Sequence, residues 1–456
     1  MSRSGFSMTS DFTKEFSARL RAAGVVGAGG AGFPAYVKAG AKAEYVIVNA
    51  AECEPLLKKD QTLLQYFPEK VFDGLELMMR STGAARGVVG IKKKHEHIIK
   101  RLTEIARARR NISVSPLGDY YPAGDEQCLV YDITGRVTPM GGIPLDTGCV
   151  VSNVETLFNA VSAAAGPVTE KYITVTGAVN NPCTIKVPVG ITYAEAVEIA
   201  GGLKIKNAAG IDGGPMMGKV ITDFGVLVTK SSGGLVVLPK DHPLIVKKTM
   251  GRPAFSRVGR SACDQCSFCT ELCPRYLLGH SIQPHRAMRS LLFSGSGGKL
   301  HSEYALLCCE CSLCSLYSCP ENLSPRDVCV AAKADLRGIK VGFKSSALNS
   351  GRAAAAHPVR EERKVPVSKL LRRLGLAGYN APAPYLEHDY KPSRVRIQLS
   401  QHIGAKCAPA VRAGQSVKKG DVVGDLPADK LGCPVHASID GKVSRVTDLY
   451  VEIENL

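Results

Sequence analysis

Long hydrophobic runs are missing from this chain of 456 residues. No stretch approaches the ~20 apolar residues that a membrane-spanning helix needs. The opening residues also lack the apolar core of a signal peptide, so the expectation is a soluble, cytoplasmic protein without a membrane span. Acidic residues are scarce beside basic ones: 41 Asp and Glu against 58 Lys and Arg leave a formal charge of +17. Such an excess raises nucleic acid, an anionic surface or an acidic partner. Aromatic residues make up only 6 %, with no tryptophan. Much of the basic excess is local, with nine Lys/Arg against two Glu both in 86–110 and in 340–375. Neither segment interleaves aromatics with its charges or fits a nucleic-acid-binding motif. Solvated surface, or docking to an acidic protein, is therefore expected, and no nucleic-acid partner. His95 and His97, inside Lys-Lys-Lys-His-Glu-His, read as an exposed helix face rather than a metal site. No Ser/His/Asp arrangement or hydrolase metal motif is present.

What is present is cysteine: sixteen residues, half of them in two runs. Cys263-x2-Cys266-x2-Cys269-x3-Cys273-Pro274 is followed by Cys308-x2-Cys311-x2-Cys314-x4-Cys319-Pro320. Three cysteines at x2 spacing wrap three corners of a 4Fe-4S cube, and in two-cluster ferredoxins the fourth ligand comes from the other run. One cluster is thus assigned to Cys263, Cys266, Cys269 and Cys319, the other to Cys308, Cys311, Cys314 and Cys273. Zinc sites more usually pair two CxxC units across a longer spacer. The proline after each last cysteine ends its loop by fixing φ and removing a donor. The x4 spacing of the second run is a departure, and Cys309, beside Cys308, is an alternative ligand. Cys53, Cys128, Cys149, Cys183, Cys329, Cys407 and Cys433 are scattered, as buried or free thiols of a reducing compartment would be.

The length suits several domains. Phe12, Phe16 and Leu20 stand at helical spacing and either pack on their own domain or dock on a partner such as a shell protein. Strands at 44–49 and 87–91 alternate with helices at 68–81 and 95–109, which predicts an α/β layered domain over 1–165. Residues 166–245 read as an α+β module compatible with a β-grasp, with strands at 172–177 and 184–188 and a helix at 193–200. The cysteine domain spans 246–340, with helical segments at 274–295 and 325–337. Residues 341–390 have the composition of a basic linker. Short strands separated by Gly turns make 391–456 a small all-β domain.

Gly27-Ala-Gly29-Gly30-Ala-Gly32-Phe33-Pro34 satisfies G-x-G-x-x-G, but the segment before it is helical, against a dinucleotide-binding Rossmann fingerprint. Its glycines supply backbone that can approach a phosphate with free amides. This loop with Lys38, then Asn49-Ala-Ala-Glu52-Cys-Glu54-Pro55 ending in Lys59-Asp60, then Tyr121-Pro-Ala-Gly124-Asp125-Glu126, then Ser152-Asn153-Val-Glu155-Thr156, resembles the FMN- and NADH-binding subunit of respiratory complex I. The resemblance implies FMN at Gly27, Gly29, Gly30, Gly32, Lys38, Asn49, Tyr121, Gly124, Asn153 and Thr156, and NADH at Phe33, Glu54 and Glu126. Ala51 departs from that family's usual acidic residue, and Asp125 shortens a Glu.

Over nearly its full length the chain resembles the Rnf complex C subunits and the cobalamin reductases of propanediol-utilising bacterial microcompartments. They share Gly213-Gly-Pro-Met-Met-Gly218 in a soluble-ligand-binding β-grasp domain and the paired cysteine runs. Gln401-His402-Ile403-Gly404, 414–421 and Pro434-Val435-His436-Ala437 resemble a barrel-sandwich segment that leads the Rnf protein and trails the cluster domain in the reductases. Here it trails. The resemblance implies an NADH-dependent oxidoreductase with FMN and two 4Fe-4S clusters that takes a corrinoid from cob(III)alamin toward cob(I)alamin, for use by a corrinoid adenosyltransferase in a microcompartment. The alternatives are an Rnf-type component passing electrons between NADH and ferredoxin, and a non-enzymatic electron carrier of the shell.

Overall fold

The computed structural model describes residues 5–455 apart from 294, 350 and 352. Its first layer is a parallel four-stranded sheet in the order Ile112–Leu117, Arg86–Lys92, Tyr45–Ala50, Cys149–Asn153. These strands read as apolar runs because helices cover both faces of such a sheet, and Val46, Ile47 and Val48 are fully buried. Helix Pro68–Thr82 opens on a proline at its first position and closes on Gly83 in the left-handed region, the usual asymmetry of helix ends. The N-terminal helix Gly5–Ala22 packs into the same core, where Phe16 and Leu20 have no exposed surface. Its apolar stripe is satisfied within its own domain. His97 is exposed, whereas His95 is half-buried before helix Glu96–Arg107.

The next module is a five-stranded sheet in the order Cys183–Pro188, Glu170–Gly177, Gly234–Pro239, Ala208–Asp212, Lys219–Ile221. Its first two strands form an antiparallel hairpin and its two central strands are parallel, as in a β-grasp. Helix Tyr193–Ile199 starts in a capping box, with the Thr192 hydroxyl accepting from Glu195 N–H and the Glu195 carboxylate accepting from Thr192 N–H. The C-terminal strands, Arg394–Gln398 through Tyr450–Glu454, form two small sheets. Val395, Ile397, Val443 and Ile453 join the β-grasp residues Ile185, Val187 and Tyr193 in one continuous core.

Two expectations need correction. Residues 341–390 are not a free linker: Val365–Pro366 pairs with Tyr120–Tyr121, and the short helix Val367–Arg373 buries Val367, Leu370 and Leu371 against the cysteine domain and the β-grasp. Its basic residues point outward from an apolar stripe whose spacing the charge density obscures. Residues 274–295 are not one helix either. Pieces Pro274–Leu277 and Pro284–Arg289 are separated at Gly279, which has φ +84° and leaves no room for a Cβ, since one would lie 2.0 Å from Ala355 O. Among the described residues no helix is long and apolar enough to cross a membrane.

Candidate functional site

In the parallel sheet the chain steps outward from Tyr45–Ala50 through two strands and returns on its other side with Cys149–Asn153. The carboxyl ends of these two strands are therefore a topological switch point, where open α/β sheets bind ligands. Asn49 and Asn153 are register partners there. Asn49 Nδ2 donates to Gly124 O at 2.8 Å, and Asn153 caps helix Val154–Ser162 while its Nδ2 donates to Asp60 Oδ2 at 2.7 Å. The glycine loop lies over Asn153. Ala28 N donates to Thr156 Oγ1 at 3.0 Å, and Gly29, Gly30 and Ala31 are exposed. Gly30 has φ +112° with nothing within 4 Å of where a Cβ would stand, so an open cradle of backbone fits an anion such as the FMN phosphate. Lys38 Nζ donates to Val151 O at 2.7 Å and pairs with Glu126 at 3.1 Å, beside the Phe33 ring. The C-terminal domain closes one side, through Ile403 N donating to Gly32 O at 3.0 Å.

Every glycine, asparagine, lysine and threonine named for FMN thus converges on this crevice. Glu54 is engaged elsewhere. Its carboxylate accepts from Met216 N at 2.8 Å and Met217 N at 2.7 Å, fastening the Gly213–Gly218 turn of the β-grasp to the flavin-side domain. A nicotinamide nucleotide would have to displace those amides.

Beneath the loop lies a buried ionic network that local sequence does not announce. Lys59 Nζ is 2.6 Å from Asp60 and 3.3 Å from Glu155, and Lys171 pairs with Glu155 and donates to Ala28 O at 3.3 Å. Burial opposes a charge on Lys59, but Asp60, Glu155 and Glu52 outweigh it and hold the ammonium form. Glu52, at φ +37°, accepts from Asp60 N at 2.7 Å; burial and then the Asp60 charge raise its carboxyl to about 7. Lys171 sits directly before the apolar strand residues Tyr172-Ile-Thr-Val, and that misplaced charge is the available signal.

The two cysteine loops are built alike. Gln265 and Ser267 in the first, and Glu310 and Ser312 in the second, have φ of 57, 66, 61 and 64°, at matching offsets from Cys263 and Cys308. Non-glycine residues rarely adopt this region, so four occurrences in register describe one wrapped loop used twice. The match pairs Cys308 with Cys263 and leaves Cys309 opposite Asp264, which favours Cys308 as the ligand. Cys273 and Cys319 share the same extended backbone before their prolines, with φ/ψ of −70/122° and −74/118°. The extra residue of the second run is absorbed in a π-helical turn, Cys314–Ser318, where the first has the α-turn Phe268–Glu271.

Cys263, Cys266, Cys269 and Cys319 line one pocket with Asp264, His285 and Met288. In the second loop Cys311 feels the charges of Cys273 and Cys314, and Cys314 those of Cys308, Cys269 and Cys273. Cys319 of the second run thus stands in one pocket with three cysteines of the first, a lining that fits a cluster. Burial pushes Cys269 up to about 12, so its thiolate form depends on bound metal. Among the described residues no three His, Cys, Asp or Glu side chains converge on a single ion position; a cube instead spreads its thiolates over four corners. All sixteen cysteines are unpaired thiols. Cys309 neighbours Cys311 and Arg275, and Cys329 neighbours Cys308, so two of the scattered cysteines belong to the second loop's surroundings.

Flavin side and cysteine domain meet at several contacts, among them His280 with Thr138 O and Ser281 with Met140 Sδ, and two lie beside the second cysteine loop. Tyr121, fully within the core, donates from its hydroxyl to Cys311 O at 2.7 Å. Asp125, which caps helix Glu126–Thr134, binds Arg275 Nη2 at 2.8 Å.

Four family models match successive parts of the chain. The Nuo51 FMN-binding domain family matches residues 20–162, the SLBB domain 172–220, the 4Fe-4S dicluster domain 262–324 and the RnfC barrel sandwich hybrid domain 384–455. The chain is 40% identical to cobalamin reductase PduS of Citrobacter freundii over 437 residues, 95% of each chain. It is also 40% identical to cobalamin reductase PduS of Salmonella typhimurium over 441 residues, 96% of each. A component of the Na(+)-translocating ferredoxin:NAD(+) oxidoreductase complex of Acetobacterium woodii is 36% identical, over 56% of each chain.

Proposed function

The chain belongs to the family of cobalamin reductase PduS, and from that premise we propose that it is an NADH-dependent oxidoreductase that reduces cobalamin, in support of coenzyme recycling in a diol-utilising microcompartment. The observation that carries the reading is the shared core in which Tyr121 of the flavin-side domain meets Cys311 of the cysteine domain. FMN, when bound, turns a two-electron hydride donor into a source of single electrons, which the iron–sulfur clusters relay.

The chain's own residues bind and orient. The Gly29–Ala31 amides and Lys38 hold an anion at the switch point, Asn49 and Asn153 border it, and the Lys59/Asp60/Glu155/Lys171 network fixes the strand ends beneath. Phe33 and Glu126 stand at the open side, available to the nicotinamide nucleotide; Glu54 serves as the clasp to the β-grasp. The two cysteine loops supply eight thiolates. No side chain is required as acid or base. A corrinoid adenosyltransferase is the expected consumer of the reduced corrinoid, and shell proteins the expected surroundings.

The test is anaerobic NADH oxidation with cobalamin, ferredoxin and an artificial dye compared as acceptors. Cobalamin should be reduced; rapid ferredoxin reduction with cobalamin left oxidised would move the protein to the Rnf-type role. Gly30→Val, which puts a β-branched residue at φ +112°, should release FMN and leave about eight iron per chain in place. Flavin retained at full occupancy would move the site elsewhere.

A further inference from the structure

The two cysteine loops share a backbone but not a neighbourhood. Around the second, Cys311 accepts from Tyr121, Leu313 is 2 % exposed, and the loop lies in a core with Leu56 and Leu57 of the flavin-side domain. Arg275, two residues after Cys273, reaches Asp125 beside Gly124. Around the first, the matching positions Cys266 and Phe268 are exposed, Phe268 to 44 %. Every residue lining its pocket comes from the cysteine domain itself. Helix Arg252–Ala262 runs directly into Cys263 and leaves Arg257 and Arg260 exposed, while the pocket lining itself includes the exposed carboxylates Asp264 and Glu321.

Resting on the function proposed above, we infer that the Cys273/Cys308/Cys311/Cys314 site takes electrons from the flavin side, and that the Cys263/Cys266/Cys269/Cys319 site delivers them to a corrinoid docked on the exposed Cys266–Phe268 face. Electron transfer falls off steeply with distance, so the order follows burial: the loop fastened to Tyr121 is the near one, and the loop open to solvent is the one an outside acceptor can approach. The turn Phe268–Glu271 of the first loop packs on the turn Cys314–Ser318 of the second, which makes the two sites neighbours. The corrinoid carries a phosphodiester and a broad apolar ring edge. The exposed Phe268 suits the second, and Arg257 and Arg260, exposed on the helix that leads into Cys263, supply cations for the first outside the carboxylates Asp264 and Glu321 of the pocket lining.

The electron count closes. Each NADH leaves as NAD+ after giving a hydride, that is two electrons and one proton. The proton passes to solvent and the electrons cross singly. Two deliveries take one cobalt from Co(III) to Co(I), or two cobalts from Co(III) to Co(II), axial ligands leaving as the cobalt charge falls; no bond forms to the protein.

Cys266→Ser and Cys311→Ser, in the full chain under argon with iron counted, separate the two roles by stopped-flow absorbance and freeze-quench EPR. In Cys266→Ser the remaining cluster should still be reduced by NADH while cobalamin reduction falls about tenfold or more. In Cys311→Ser flavin bleaching should persist while the remaining cluster is reduced about tenfold more slowly or worse. The opposite pattern overturns the order. Should either variant lose both clusters, Tyr121→Phe and Phe268→Glu decide: the first should slow cluster reduction after flavin bleaching, the second should raise KM for cobalamin with about eight iron retained. Unchanged kinetics in both overturns the inference. Wild type that reduces its clusters in the stated order but leaves cobalamin oxidised, or reduces it only on an acidic carrier protein, rejects the docked free corrinoid; the cluster order is read separately, without any acceptor.

Discussion

At matching positions the two cysteine loops carry Cys266 and Cys311, Ser267 and Ser312, Phe268 and Leu313. The first member of each pair is more open to solvent than the second, and at the last pair the exposures are 44 % and 2 %. Their backbones repeat the same left-handed residues in the same order. Spacing therefore sets how a loop wraps, while the domain packed against it sets what that loop can exchange electrons with. Two copies of one motif become an inner and an outer site because the flavin-side domain, the β-grasp and the segment 365–376 cover one and reach the other only at its edge, where Arg373 Nη2 donates to Cys319 O.

The largest expected effect tests whether the loops are joined as well as alike. Cys273 belongs to the first run by sequence and to the second site by position, so Cys273→Ser should reduce iron from about eight to about four per chain. The surviving EPR signal should be the one that Cys266→Ser removes. Survival of the other signal would show that each run closes on its own fourth cysteine.

Much of this is legible in the sequence. The cysteine spacing marks a two-cluster domain and four ordered motifs mark a flavin-binding one, because both chemistries demand residue types at short fixed separations. The parallel sheet and the β-grasp follow from period and turn chemistry. What escapes is set by contacts between distant segments. The 341–390 stretch looks like a linker because eight basic residues hide Val367, Leu370 and Leu371. Glu54 reads as a contact for NADH because nothing local announces that Met216 and Met217, 162 and 163 residues away, donate to it. Lys171 draws no notice because a single lysine in an apolar strand shows its partner, Glu155, only in the fold.

The second expected effect concerns what holds the inner loop against the flavin side. Arg275 and Asp125 are 12 % and 13 % exposed. Removing one partner of a buried pair leaves an uncompensated charge, at a cost near ~3–5 kcal/mol. Asp125 keeps two amide hydrogen bonds as a helix cap, so Arg275→Met belongs at the low end, about 3 kcal/mol. The chain has no tryptophan, and denaturant unfolding is best followed by the loss of cluster absorbance and by far-UV circular dichroism. Absorbance of the inner cluster should disappear at lower denaturant than in wild type. An unchanged midpoint would mean that the Tyr121 and core contacts suffice.

The smallest effect is expected at the pair that mirrors this one on the outer side. Arg252, at the start of the helix leading into Cys263, meets Asp335 with its Nη1 at 3.0 Å from Oδ1, yet the two are 58 % and 56 % exposed. Water screens the attraction and two long side chains must be held still to make it, so pairs of this kind contribute about 0–1 kcal/mol. Geometry alone would rank it beside Arg275–Asp125; burial ranks it far below. Arg252→Ala should leave the midpoint of cluster loss within about 1 kcal/mol of wild type, and the difference should shrink as salt rises. A loss equal to that of Arg275→Met would mean that the outer loop is braced as firmly as the inner one, and the contrast between a fastened inner site and an open outer site would fail at its mechanical basis.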